Sequence, residues 1–161
     1  MPAPKNYITP AGYRRLGEEH DFLRWKKRRE VVAALADAAA EGDRSENAEY
    51  IYRKKQLREI DRRIRFLGQR LDAAVVVDPA AQTRRDRAFF GATVEVDDED
   101  GRRHAYRIVG ADEIDVAGGT ISWQSPTARA LLGKRAGDTV VVRLQGRTRE
   151  LTVVAIAYPK S

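Results

Sequence analysis

The chain has 161 residues, 42% hydrophobic and 34% charged, with a formal net charge of +6. That length suits one ordinary domain or two small ones, and so much charge suits long, thin helices with solvated faces better than a ball. The absence of cysteine excludes disulfides and thiolate metal sites, and two histidines far apart, His20 and His104, are too few for zinc.

A basic excess with a pI near 9.8 points to an anionic partner, with nucleic acid (RNA or DNA) ahead of a membrane surface. No segment is long and apolar enough to span a bilayer. Met1-Pro2-Ala3-Pro4-Lys5 lacks the apolar stretch of a signal peptide, so the expected location is cytoplasmic.

From about Thr9 to Ala40 the pattern is helical. Thr9 is placed to cap the helix, with Pro10 at the first helical position. Leu16, His20 and Leu23 form an apolar stripe that continues through Val31, Ala34, Leu35 and Ala38. The alanine-rich run 33–40 has high helix propensity, and Gly42 interrupts it. A second helix is expected from about Glu46 to Asp72. Its Tyr50, Leu57, Ile60, Ile64, Leu67 and Leu71 alternate steps of three and four, missing one at Arg53, as a coiled-coil seam does. Two such stretches joined by a very short link fold back as an antiparallel hairpin, each arm roughly 40–45 Å long.

Beyond Val75-Val76-Val77-Asp78-Pro79 the pattern changes, and residues 80–87 read as a linker. Period-two alternation predicts strands at 91–96, 105–109, 120–123, 139–144 and 149–157, with an acidic turn at 97–101. Ser125 as cap and Pro126 as first helical residue open a short helix through Leu132, which Gly133 ends. The expected organisation is α+β: a coiled-coil hairpin over residues 1–78, then a small antiparallel β-sheet domain with one helix over 79–161.

The link between the two long helices reads Glu41-Gly42-Asp43-Arg44-Ser45-Glu46-Asn47-Ala48-Glu49-Tyr50. Asp43 and Glu46, three apart at a helix start, can converge their carboxylates on one side of the tip. Such a pair can hold Mg²⁺ loosely, but an octahedral ion needs further oxygens from outside. The same spacing suits a capping box, in which both acids serve the helix start alone. On spacing alone the capping reading is the stronger, and the two are compatible. Behind the tip the second helix carries Arg53, Lys54, Lys55, Arg58, Arg62, Arg63, Arg65 and Arg70, against few acids. Lys54 and Lys55 can each share a flank with Arg58. Charges like these commonly form a solvated coiled-coil flank, yet an acidic tip backed by bases also suits a rod aimed at phosphate.

These residues resemble the Gre transcript-cleavage factors of bacterial RNA polymerase, and among them the GreB type. The likeness starts in the tip, Gly42 to Tyr50, and continues through Lys54-Lys55-Gln56-Leu57-Arg58-Glu59-Ile60-Asp61-Arg62-Arg63-Ile64-Arg65. It resumes at Phe89-Phe90-Gly91-Ala92, Tyr106-Arg107-Ile108-Val109-Gly110 and Asp112-Glu113-Ile114. Ser125-Pro126, Ala128-Arg129-Ala130-Leu131-Leu132 and Gly137-Asp138 complete it, so nearly the whole chain is covered.

The resemblance implies a coiled coil inserted into the polymerase secondary channel and a C-terminal domain of FK506-binding-protein (FKBP-like) fold resting on the channel rim. It places the family's tip acids on Asp43 and Glu46, which would help hold a second Mg²⁺ shared with the polymerase and position water against extruded 3′ RNA. None would be held tightly by the isolated chain. It places the basic patch on Lys54, Lys55 and Arg58, and the rim-contacting segment on Gln124, Ser125 and Pro126. The family usually carries an acid where Gln124 stands, so the departure touches docking and not tip chemistry.

The implied function is stimulation of the polymerase's own cleavage of backtracked RNA by a monomeric cofactor, without nuclease activity of its own. The alternative is a channel-binding regulator that promotes no cleavage, which would need no acid pair. A peptidyl-prolyl isomerase is suggested only by the implied fold, and Phe89, Phe90, Tyr106, Trp123 and Tyr158 are few enough to be ordinary core.

Overall fold

A computed structural model of the chain describes residues 5–41 and 47–160. Its elements are β1 (Asn6–Ile8), α1 (Pro10–Asp21), a π-helical turn (Phe22–Lys27), α2 (Arg28–Ala39), α3 (Ala48–Ala73) and β2 (Ala74–Val76). After these come β3 (Thr93–Asp98), β4 (Arg103–Val109), β5 (Thr120–Ser122), α4 (Pro126–Leu131), β6 (Thr139–Leu144) and β7 (Arg147–Ala157). They gather into two compact units, residues 13–73 and residues 5–12 with 74–160.

The helical unit is the expected antiparallel hairpin. Its cross-links run in opposite directions along the two arms: Asn47 to Ala38, Asp61 to Arg28, Arg63 to Glu19. Val31 and Ala38 on one arm, and Ile60 and Leu67 on the other, are buried one heptad apart. Leu16 is also buried, but it stands fifteen residues before Val31, one more than two heptads. The π-helical turn between them takes up that additional residue and keeps α1 and α2 on one seam. Where the α3 stripe skips a step, Arg53 is half-buried and tied to Glu49 at 2.8 Å and to Gln56 at 2.9 Å.

In the other unit five strands pair in the order β5-β4-β3-β7-β6. All neighbours are antiparallel except β5, which runs parallel to β4 along the edge. Alternation buries Val94 and Val96 of β3, Ile108 of β4, Val140 and Val142 of β6, and Leu151 and Val153 of β7. Ala128 and Leu131 of α4 close over this face. Ser125 caps α4, accepting from the Ala128 N–H at 3.2 Å with Pro126 following. β6 and β7 turn on Gln145 and Gly146, both at positive φ, which is the type I′ geometry that matches strand twist.

The period-two pattern did not include β1 and β2. β1 pairs in parallel with β2, and the Val77 N–H donates to the Ile8 carbonyl at 2.8 Å. β1 also docks on a 3₁₀ turn at residues 111–113. The Asn6 amide donates to Asp112 at 3.1 Å, and a side chain at Gly110 would collide with the Tyr7 carbonyl. The buried Glu113 carboxylate accepts from the Gly110 N–H at 2.8 Å, the Thr9 N–H at 3.1 Å and the Thr9 hydroxyl. That hydroxyl in turn caps α1, accepting from the Gly12 N–H at 3.1 Å. Thr9 and Pro10 open the first helix as read, and their cap is held by a carboxylate more than a hundred residues away.

Candidate nucleic-acid interface and hairpin tip

Asp43 and Glu46 lie outside the described residues, as does Gly42, the expected helix stop. Their mount is described. α2 ends at Ala39 and α3 begins at Ala48, and Asn47 fastens the two ends together. Its Oδ1 accepts from the Tyr50 N–H at 3.1 Å, the N-cap geometry for α3, while its amide donates to the Ala38 carbonyl at 2.7 Å. α3 is therefore capped by Asn47. Asparagine before a helical run is a strong cap, so the signal for this stands in the sequence beside the two acids.

The cations of α3 from Arg53 to Arg65 divide into two sets. Arg53 and Arg63 point along the seam edges and are ion-paired, Arg53 with Glu49 and Arg63 with Glu19 at 2.6 and 3.0 Å. Hydrogen bonding to Arg63 holds the Glu19 carboxyl below its ordinary pKa. Asp61 is occupied from the other arm by Arg28 at 2.7 Å. Lys54, Lys55, Arg58, Arg62 and Arg65 are exposed and make no ion pair among the described residues. At 100° per residue Arg58 falls between Lys54 and Lys55, so the three read as the basic patch share one outward face. Lys54 also lies 5.9 Å from the Tyr50 ring centroid.

Gln124 and Pro126 are exposed, and Ser125 is half-buried by its capping role. The Gln124 N–H donates to the Ser122 hydroxyl at 3.1 Å, which fixes the approach to α4. Beside them Trp123 packs edge-on against Tyr7 at 4.8 Å, and Tyr7 lies 6.1 Å from Phe90. Tyr7, Phe89, Phe90 and Trp123 line an open hollow of about 310 Å³ with Val77, Gln82 and Leu132. Tyr7 is the member that the sequence reading did not gather, because β1 brings it there. Tyr158 instead serves the frame: its hydroxyl donates to the Arg87 carbonyl at 2.6 Å and accepts from the Phe89 N–H at 2.8 Å. Burial pushes its pKa up.

At the β3–β4 turn Asp98 accepts from His104 at 2.9 Å, Arg149 at 3.2 Å, and the N–H groups of Asp100 and Arg102 at 2.9 Å each. The bond from His104, with those backbone donors, lowers its pKa to about 2. Among the described residues no group of three or more His, Asp or Glu gathers to hold a metal ion, and no helix is long and apolar enough to cross a membrane.

A two-arm helical hairpin with an acidic link, followed by a five-stranded α+β unit, defines a class that the comparisons specify. Residues 6–76 match the family model "Transcription elongation factor, N-terminal", and residues 82–158 match "Transcription elongation factor, GreA/GreB, C-term". The chain belongs to the GreA/GreB transcription elongation factor family. It is 51% identical over 156 residues to transcription elongation factor GreB of Neisseria meningitidis serogroup B, covering 97% of this chain and 96% of that one. It is 55% identical over 161 residues to GreB of Xanthomonas axonopodis pv. citri, covering 98% and 95%. Among solved structures, GreA factor homolog 1 of Thermus thermophilus matches at 28% identity over 96% of this chain and 99% of its own, with a TM-score of 0.44.

Proposed function

We propose that the chain is a GreB-type cofactor that enters the RNA polymerase secondary channel and stimulates the polymerase's own cleavage of backtracked 3′ RNA. Asp43 and Glu46 are the residues assigned to the shared Mg²⁺. Two carboxylates are the right donor type for this hard ion but fill a minority of its six positions, so the polymerase and RNA supply the rest. When bound there, a second metal stabilises both the attacking and the leaving oxygen of the displaced phosphodiester. The protein's contribution is to carry both acids on a narrow mount and to hold the extruded RNA with Lys54, Lys55 and Arg58. Gln124, Ser125 and Pro126 contact the channel rim.

The observation that carries this reading is Asn47. Its side chain accepts from the Tyr50 N–H, capping α3, and donates to the Ala38 carbonyl, so the residue next to the acidic link ties the two arm ends together. A cap supplied by Asn47 supports the reading in which Asp43 and Glu46 serve the metal. The reading places the protein in the cytoplasm, on the transcription machinery.

The test is a cleavage assay on stalled elongation complexes. The unmodified chain is expected to accelerate release of 3′ RNA fragments. Asp43→Asn is expected to abolish that acceleration while still competing with the unmodified chain for the polymerase. Equal cleavage by both overturns the assignment of the acids, and no acceleration by the unmodified chain favours a channel-binding regulator instead. RNA incubated with the chain and Mg²⁺ alone is expected to stay intact.

A further inference from the structure

We propose a nucleobase-binding hollow on α3, formed by Glu59, Arg62, Arg63 and Phe66, that engages the extruded RNA beyond the three-residue basic patch. The four positions are i, i+3, i+4 and i+7, so they share one face of the helix. They enclose an open hollow of about 340 Å³. Phe66 is 43% exposed, a large apolar ring left open on a strongly basic helix. Its orientation is fixed from one side. The Arg63 guanidinium lies 5.2 Å from the ring centroid, and Arg63 is itself clamped by both oxygens of Glu19.

Charge selects the occupant. The cations Lys55, Arg58, Arg62 and Arg65, none ion-paired among the described residues, follow one another along the same outward side of α3 over about 15 Å. They lead from the tip side of the helix to Phe66. A row of cations ending at an anchored aromatic ring is the pattern by which proteins hold single-stranded nucleic acid, with phosphates on the Lys and Arg side chains and a nucleobase on the ring. Glu59, the one acid in the hollow, makes no ion pair among the described residues. It would repel a phosphate but accept from the exocyclic amino group of adenine, cytosine or guanine.

The inference rests on the proposed cleavage function, since that supplies the RNA. A short extruded segment ends within the patch, while a longer one passes Arg58 and reaches Arg62, Arg65 and Phe66. Backtracked complexes with short and with long extruded RNA are treated with unmodified chain, Phe66→Ala, Phe66→Trp and Arg62→Ala/Arg65→Ala, and the long-to-short ratio of cleavage rates is read. Phe66→Ala is expected to lower the ratio about tenfold, the size of one base–aromatic stack, and Phe66→Trp to restore it.

An unchanged ratio for Phe66→Ala overturns the hollow while leaving the cleavage function standing. Loss on both RNAs in equal proportion overturns it too, and marks a contact with the polymerase itself. Failure of the unmodified chain to stimulate either substrate overturns both.

Discussion

Glu113 offers a perturbation whose outcome separates hydrogen bonding from charge. Its carboxylate is 8% exposed and accepts from two backbone N–H groups, those of Thr9 and Gly110, and from the Thr9 hydroxyl. Glu113→Ala leaves both amides without an acceptor. An unsatisfied buried donor costs about 1–3 kcal/mol, so the two together cost about 4 kcal/mol. For a chain of this size each kcal/mol moves Tm by about 2–4 °C, which gives a fall of about 10 °C. Glu113→Gln is a different matter. Its amide oxygen can accept from both N–H groups, while its NH₂ donates to the Thr9 hydroxyl, which still caps Gly12. The glutamine variant is therefore expected to lose about 1 kcal/mol, close to the net value of one hydrogen bond. Thermal unfolding followed by circular dichroism reads both. If the alanine variant melts within about 2 °C of the glutamine variant, the carboxylate is not satisfying those amides, and the docking of β1 has another cause.

The remaining predictions use the same geometry or the proposed interface. Gly12→Ala ordinarily stabilises a helix by about 1 kcal/mol, but here the new methyl would overlap the Glu113 carboxylate. Melting curves should show destabilisation in the unmodified chain and stabilisation in the Glu113→Ala background. Lys54→Ala with Lys55→Ala should weaken polymerase-complexed RNA binding and reduce the log–log salt slope by about 0.7 per lost phosphate contact, measured by titration at several salt concentrations. Asp98 has its folded pKa lowered to about 2, so its stabilisation is complete above the ordinary carboxylate range and is lost as pH falls toward that value. Asp98→Asn should accordingly lower Tm at neutral pH, and the gap from the unmodified chain should close in acid melts.

What the sequence disclosed was whatever repeats or punctuates locally. The seam residues Ile60, Leu67, Val31 and Ala38 announce themselves by spacing, and Thr9-Pro10 and Ser125-Pro126 by capping chemistry. Strand cores such as Val94, Val96, Val140 and Val142 follow from alternation. β1 escaped because three residues carry no period, and its stability comes from partners at residues 74–77 and 110–113 that only the folded chain brings near. Glu113 escaped for the same reason. Read along the chain it is one more acid in a turn, and its two other donors come from Thr9.

The first helix shows the same limit from inside a well-read element. Its stripe runs Leu16, His20, Leu23, Val31, and the eight-residue step before Val31 is one more than a heptad. A regular helix would carry Leu16 about 100° off the seam that Val31 and Ala38 define. The π-helical turn at residues 22–27 removes that offset, and Leu16 is 7% exposed as a result. The same turn leaves Phe22 and Trp25 on the outside, 49% and 58% exposed. A spacing rule that tolerates both threes and fours cannot distinguish a bent register from a straight one. The inserted residue is visible only when the distance from Leu16 to Val31 is measured against two whole heptads.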